Sequence, residues 1–191
     1  MNGAVLALYG SPRSGGFSSN IHDALLKPLR DAGADITVFN PYNKRVLPCN
    51  ACYFCRGNGG CGNDDDMAGI YETLMSCSLI TVSSPVYFSG ISSPLKAFID
   101  RCQFIWERRE SVKGKAAFFI AVSGSSYSVA FDGLRATIRH FFNTLNASFD
   151  ENEFIFLDGS DSMNNVPEEV LRRAAGIGSG YLSLLSGGSD K

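Results

Sequence analysis

The sequence has no apolar run near the ~20 residues a membrane-spanning helix needs; the longest is Ala116 to Val122. It has no excess of basic residues: Lys and Arg total 17 against 19 Asp and Glu, for a net charge of −2. That leaves no positive field for nucleic acid and no polybasic anchor for an anionic membrane. Gly and Pro, at 20 and 7, are too few for a disordered or collagen-like chain. Histidine is scarce, and His22 and His140 each lie inside a helical pattern with no nucleophile paired to them, so both are assigned structural roles. The apolar stretch Ala4 to Tyr9 has no basic residue before it and runs into Gly10-Ser11-Pro12-Arg13, unlike a secretory signal. A cytoplasmic location is therefore expected, where disulfides are uncommon.

Hydrophobic residues make up an ordinary 45% of the 191 residues. A chain of this size can bury about 70% of its unfolded surface, enough for a core without disulfides, and one domain over residues 1–191 is expected. Apolar clusters and turn signals alternate in a βα rhythm, with strands expected at Ala4–Tyr9, Ile36–Phe39, Ser78–Ser83, Ala116–Ser123 and Glu153–Leu157. Ile21, Leu25 and Leu29 space the first helix, whose last turn Pro28 should break or kink. Asp64-Asp65-Asp66 precedes a second helix at Ile70, Tyr71, Leu74 and Met75, and is read as favourable charge at a helix N-terminus in preference to a metal site. Ser93-Pro94 opens a third, Ile138, Phe141, Phe142 and Leu145 mark a fourth, and Pro167-Glu168-Glu169 opens a fifth that Gly176, Gly178 and Gly180 should weaken. The closing residues, Ser186 to Lys191, are expected to fray. Strands buried on both faces and joined by helices predict an α/β fold: a flavodoxin-like, doubly wound, five-stranded parallel sheet, order 2-1-3-4-5, with helices on both faces.

Directly after the first strand comes Gly10-Ser11-Pro12-Arg13-Ser14-Gly15-Gly16-Phe17-Ser18-Ser19-Asn20. Glycines permit a tight turn, serine hydroxyls and a helix N-terminus add donors, and Arg13 can fork onto phosphate oxygens, so the segment suits a phosphate monoester. It is neither a Walker A loop, lacking Gly-Lys-Ser/Thr, nor a dinucleotide fingerprint, since Asn40 stands where a ribose-binding acid would be. Two further loops should share this edge of the sheet: Ser84 to Gly90 after the third strand, with Pro85, Val86, Tyr87 and Phe88 as walls for a flat ring, and Ser123 to Tyr127 after the fourth.

Gly-Ser-Pro-Arg-x-x-Gly, Ser-Pro-Val-Tyr-Phe and Leu95-Lys96-Ala97-Phe98-Ile99-Asp100-Arg101, in this order, resemble the NADPH-dependent FMN reductase group of flavodoxin-like proteins over roughly residues 4 to 160. The resemblance implies that Ser11, Arg13, Ser18, Ser19 and Asn20 surround an FMN phosphate, that Pro85 to Phe88 line the isoalloxazine, and that Ser123 and Gly124 lie along its edge. Phe17 departs from the small polar residue usual there, which weakens a side-chain role at that position but not a backbone one. Asp100 and Arg101 are assigned to a structural ion pair.

A stretch between the second strand and second helix, residues 40–66, breaks the βα rhythm and holds four of the six cysteines as Cys49-x2-Cys52-x2-Cys55-x5-Cys61. A loop of that length inside a compact domain is usually functional. Three thiols at this spacing can wrap one corner of a metal cluster, and Gly57, Gly59 and Gly60 let Cys61 return to the fourth. A structural zinc site normally uses two separated Cys-x2-Cys knuckles, and metal-free thiols are the other alternative. A cysteine phosphatase is excluded, since Cys49 and Arg56 enclose six residues instead of five. Cys77 and Cys102, in apolar surroundings, are read as core residues.

The spacing resembles the compact motif of the iron–sulfur flavoproteins, a branch of the same group. That resemblance implies a [4Fe-4S] cluster on Cys49, Cys52, Cys55 and Cys61, and a homodimer or homotetramer bringing cluster and flavin together. Lys44, Arg45 and Arg56 could offset the cluster's charge, with Tyr53 and Phe54 as a shield. The expected function is an FMN-dependent oxidoreductase passing electrons between FMN and a one-electron partner such as ferredoxin. The alternatives are an NAD(P)H-dependent FMN or quinone reductase without a working cluster, acting on a small-molecule acceptor, and a flavodoxin-like carrier.

Overall fold

Val5–Tyr9 forms β1, with all five residues buried, as an uninterrupted apolar run demands at the centre of a parallel sheet covered on both sides. The computed structural model describes residues 3–58, 60–107, 112–127 and 129–186. β2 (Ile36–Phe39) pairs with β1 on one side, Val5 opposite Ile36, and β3 (Leu79–Pro85) on the other, Val5 opposite Leu79. β4 (Lys115–Val122) follows on β3, giving the parallel order 2-1-3-4-5. The order reverses at β1, so the carboxyl ends of β1 and β3 open the crevice where ligands of such sheets bind.

Helix α1 (Phe17–Asp31) lies against β3 and β4 and packs on α6 (Glu168–Gly180). α2 (Tyr71–Ser76) is a short helix before β3. α3 (Ser93–Arg101), α4 (Gln103–Trp106) and α5 (Asp132–Thr144) follow in order, with Phe98 of α3 edge-on to Phe141 of α5 and in contact with Phe39 of β2.

Three expectations are corrected. The fifth strand is two pieces on the free edge of β4: β5 (Ala147–Ser148) opposite Lys115 and Ala116, and β6 (Ile155–Leu157) opposite Ile120 to Val122. Between them Asp150 bends the chain, its carboxylate accepting from the Asn152 N–H at 2.9 Å, a local bond that competes with the sheet ladder. Phe154 then anchors the bend among Phe118, Phe119, Phe142 and Phe149. Pro28 does not end α1, which continues to Asp31. An interior proline costs about 3 kcal/mol, but Leu25, Leu26 and Leu29 are buried on either side and contribute about 1.5–3 kcal/mol each. Nor do the glycines stop α6. A Cβ on Gly178 would lie 1.9 Å from the Leu25 carbonyl oxygen, so the bare position lets α6 rest directly on α1. After α6 a last helix, α7 (Leu182–Ser186), follows; of the residues expected to fray, Ser186 closes that helix and 187–191 lie outside the described residues, as does Gly59.

The acidic and basic assignments around α3 also change. Asp100 pairs with Lys96 at 2.5 Å on the exposed side of α3, whereas Arg101 turns inward, 1% exposed, and pairs with Asp65 at 2.5 Å. Successive helical residues do not share a face, so Asp100 and Arg101 cannot pair. The Asp64–Asp66 run ends well before α2 begins at Tyr71, and its members hold the loop instead: Asp65 accepts from the Leu47 N–H at 2.8 Å, Asp66 from the Arg45 N–H at 2.7 Å.

Candidate functional site

The Gly10 N–H donates to the Ser83 carbonyl at 2.7 Å, and a Cβ on Gly10 would meet that oxygen at 2.8 Å and Leu95 at 2.7 Å, so a side chain there is excluded. The turn beyond is braced from within. The Ser11 hydroxyl accepts from the Arg13 N–H at 3.1 Å, and the Arg13 carbonyl accepts from the Ser19 hydroxyl at 2.9 Å and the Gly16 N–H at 3.2 Å. Asn40, at the end of β2, donates to the Ser11 carbonyl at 2.9 Å. The helical ladder of α1 starts with the Asn20 N–H on the Gly16 carbonyl at 2.9 Å, so the preceding N–H groups of the first turn have no helical acceptor. Beneath the loop, buried His22 lies between Ser83 (Nδ1, 2.9 Å) and Thr81 (Nε2, 2.7 Å) and stacks on Tyr9; burial lowers its pKa to about 3, so the ring is neutral.

At this edge a cavity of about 620 Å³ opens, a size ordinary for small-molecule sites. Ser11, Arg13 and Ser18 border one end; Pro85, Val86, Tyr87 and Phe88 form one side, and Ser123 and Gly124 another. Tyr87 and Phe88 stand at the mouth, 43% and 108% exposed. Phe88 and Ser89 both have positive φ (50° and 58°) in a tight turn closed by two 2.9 Å bonds between Tyr87 and Gly90. Ser19 and Asn20 do not border the cavity: Ser19 holds the Arg13 carbonyl, and the Asn20 amide donates to the Gly15 carbonyl at 3.3 Å. Sequence reasoning missed Ser160 and Asp161, which border the cavity from the turn after β6. The signal was available, because the loop after every parallel strand ends at the same edge.

The cysteine loop forms a second hollow. Ala51 and Tyr53 take left-handed backbone conformations (φ 55° and 58°) that fold the chain back on itself. Cys49, Cys52, Cys55 and Cys61 all border one cavity of about 400 Å³, Cys49 and Cys52 exposed and the other two half-buried. Among the described residues, no three His, Cys, Asp or Glu side chains are gathered closely enough to hold a single metal ion. The chemistry of the surroundings nevertheless fits an anionic, sulfur-rich group. Arg101 borders the cavity; its two terminal nitrogens are taken by Asp65 and the Leu47 carbonyl, while its buried Nε has no hydrogen-bond partner among the described residues. Burial pushes the Cys61 thiol up, but the Asn63 backbone N–H and Arg101 outweigh it and bring the pKa below the ordinary value. Burial raises that of Cys55. Lys44 and Arg45 do not border the cavity; Arg56 and Arg101 do, each in an ion pair, with Glu107 at 3.4 Å and with Asp65 at 2.5 Å, and the carboxylates of Asp100 and Glu107 border it too. Tyr53 borders the cavity whereas Phe54 lies over Gly62. Cys77 and Cys102 are buried, and burial pushes the Cys77 thiol up to about 11.

Residues 4–151 match the NADPH-dependent FMN reductase family. An iron–sulfur flavoprotein of Methanosarcina thermophila is 33% identical over 121 residues, 63% of this chain and 63% of that protein. One of Methanocaldococcus jannaschii is 32% identical over 140 residues, 72% of this chain and 70% of that one. The chain therefore spans about three-fifths of the Methanosarcina relative's length. Among solved structures, an NAD(P)H:quinone oxidoreductase from Methanothermobacter marburgensis superposes with a TM-score of 0.70 over 94% of this chain and 96% of that one, at 18% identity, a likeness of fold.

Proposed function

The chain belongs to the NADPH-dependent FMN reductase family, in its iron–sulfur flavoprotein branch, and on that premise we propose that it is an FMN-dependent oxidoreductase. The observation that carries this reading is the cavity at the switch point of the sheet, with donors at one end and apolar walls at the other. Arg13, Ser11, Ser18 and the first N–H groups of α1 would hold the phosphate, with Ser19 and Asn20 bracing the loop that presents them. Pro85 and Val86 offer the ring an apolar face, Tyr87 and Phe88 screen its mouth, and the Ser123–Gly124 backbone meets its polar edge. FMN, when bound, supplies the redox chemistry; the side chains bind it, orient it and shape its access to water.

Cys49, Cys52, Cys55 and Cys61 would hold a [4Fe-4S] cluster, a group that transfers one electron at a time. Its support is the shared cavity of the four thiols and, at its wall, the Arg101 Nε, which has no hydrogen-bond partner among the described residues. The partners of this reading are a ferredoxin-like carrier or NAD(P)H as donor, a small-molecule acceptor, and a second copy of the chain in a homodimer or homotetramer, in the cytoplasm. Among the described residues no helix is long and apolar enough to cross a membrane. A second reading, an NAD(P)H-dependent FMN or quinone reductase with free or zinc-bound cysteines, is favoured by the exposure of Cys49 and Cys52.

Reduction of the FMN-loaded protein by NADPH and by a reduced ferredoxin, followed at the flavin absorbance, separates the two. In the first reading Cys52→Ser slows reduction by ferredoxin and leaves any reduction by NADPH unchanged. Rapid reduction by NADPH, with the variant matching the parent for both donors, establishes the second.

A further inference from the structure

We infer that Asp161 sets the preference of the flavin cavity for oxidised over reduced FMN, an inference that rests on the FMN reading of that cavity. After β6 the chain turns at Gly159 (φ 67°) into the single turn Ser160–Ser162. Three backbone bonds lace this turn to the loop after β4: Ser123 N–H to the Leu157 carbonyl (2.8 Å), Ser160 N–H to the Ser123 carbonyl (3.1 Å) and Asp161 N–H to the Gly124 carbonyl (3.1 Å). The two carboxylate oxygens of Asp161 lie 2.5 and 2.7 Å from where a Cβ on Gly124 would be. The bare glycine thus leaves the space that the carboxylate fills at the cavity wall. Asp161 lies beyond residue 151, where the family match ends.

The charges around the cavity are polarised. Among the described residues Arg13 is its one bordering cation, at the loop after β1, and Asp161 its one bordering anion, at the turn after β6. Asp161 forms no ion pair among those residues, so its charge is not neutralised nearby. With its phosphate at Arg13 and its ring against Pro85 and Val86, FMN would share the cavity with the Ser123–Gly124 loop and with Asp161, which packs on Gly124. The oxidised ring of FMN is uncharged, whereas the two-electron-reduced ring is largely anionic at neutral pH. An unpaired carboxylate at the wall repels the second and is nearly indifferent to the first. By linkage, a site that binds the reduced form less well holds its flavin as a stronger reductant, ready to pass electrons on.

The test is the pair of FMN dissociation constants, oxidised and dithionite-reduced, for the parent, Asp161→Asn and Asp161→Glu. In Asp161→Asn the ratio of the reduced to the oxidised constant should fall about tenfold, the scale of one charge near a protein surface, while Asp161→Glu keeps the parent ratio. Added salt should lower the parent ratio and leave that of Asp161→Asn unmoved. Asp161→Ser, which also removes the charge, should match Asp161→Asn and guards against a fault specific to the amide. FMN binding with an unchanged ratio in both neutral variants overturns the role of Asp161 alone, as does an equal fall in Asp161→Glu. A parent protein that binds FMN in neither state overturns the reading of the cavity, and this inference with it.

Discussion

Asp65→Asn is expected to cost about 3–5 kcal/mol of stability, the usual penalty for breaking a buried ion pair and stranding its charge. The Asp65 and Arg101 side chains are 0% and 1% exposed. One carboxylate oxygen accepts from Arg101 Nη1 at 2.5 Å and the Leu47 N–H at 2.8 Å, the other from Arg101 Nη2 at 3.1 Å and the Met67 N–H at 3.1 Å. Asp65 therefore ties α3 to both arms of the cysteine loop, ahead of Cys49 and after Cys61. An amide keeps the shape, loses the charge, and turns an NH2 toward groups that are themselves donors. The loss is a large part of the roughly 5–15 kcal/mol that stabilises a typical domain. Urea unfolding under reducing conditions measures it. The double variant Asp65→Leu/Arg101→Met should recover most of the stability, since apolar replacement of a buried pair is often neutral, but should retain less iron because Leu47 is no longer anchored. Burial alone would raise the Asp65 pKa; Arg101 and the Leu47 and Met67 N–H groups outweigh it and hold the carboxyl below its ordinary range. The pair's contribution is then complete above about pH 4, the unfolded value, and drains as the pH falls through the lowered folded value. An Asp65→Asn protein within about 1 kcal/mol of the parent would mean that the buried pair does not hold the loop.

Other consequences follow from single contacts. Arg13→Ala should weaken FMN binding by about 1.5–3 kcal/mol, the range for hydrogen bonds to charged groups, read by fluorescence quenching; unchanged affinity would remove the loop from the phosphate site. Gly178→Ala should destabilise by at least about 1 kcal/mol despite the better helix propensity of alanine, because its Cβ would press on the Leu25 carbonyl. Gly176→Ala, with open space around it, should instead stabilise by up to about 1 kcal/mol; equal effects in denaturant melts would contradict the close packing of α1 on α6. His22, with a folded pKa near 3 against about 6.5 unfolded, contributes stability that is complete above pH ~6.5 and lost as the pH falls toward 3. Stability that stays level from pH 7 to pH 5 would contradict a neutral, buried His22.

The central strands were legible because Val5–Tyr9 is apolar throughout, Ala116–Val122 likewise, and Leu79–Val82 is broken only by Thr81, and a parallel sheet buried on both faces favours such runs. The edge was not. Glu153 reads as the start of a strand, yet Asp150 satisfies nearby N–H groups locally and splits the pairing on β4. The loop after β1 was legible as a turn with donors, but not which serine would face the cavity and which would brace the turn; Ser18 and Ser19 differ in that respect only through the phase of α1. The partner of Arg101 was hidden because it comes from Asp65, far away in sequence, and no local pattern encodes a contact across the fold. Asp161 escaped notice for a similar reason: its place at the cavity depends on Gly124 having no side chain, a fact of packing between two loops.

Anaerobic purification with analysis of FMN, iron, acid-labile sulfide and zinc decides whether the chain carries both cofactors. The protein should be coloured and carry one FMN for each [4Fe-4S] cluster, with iron and sulfide in equal amounts. A protein that holds no flavin and takes none up when FMN is supplied would contradict the FMN reading of the cavity.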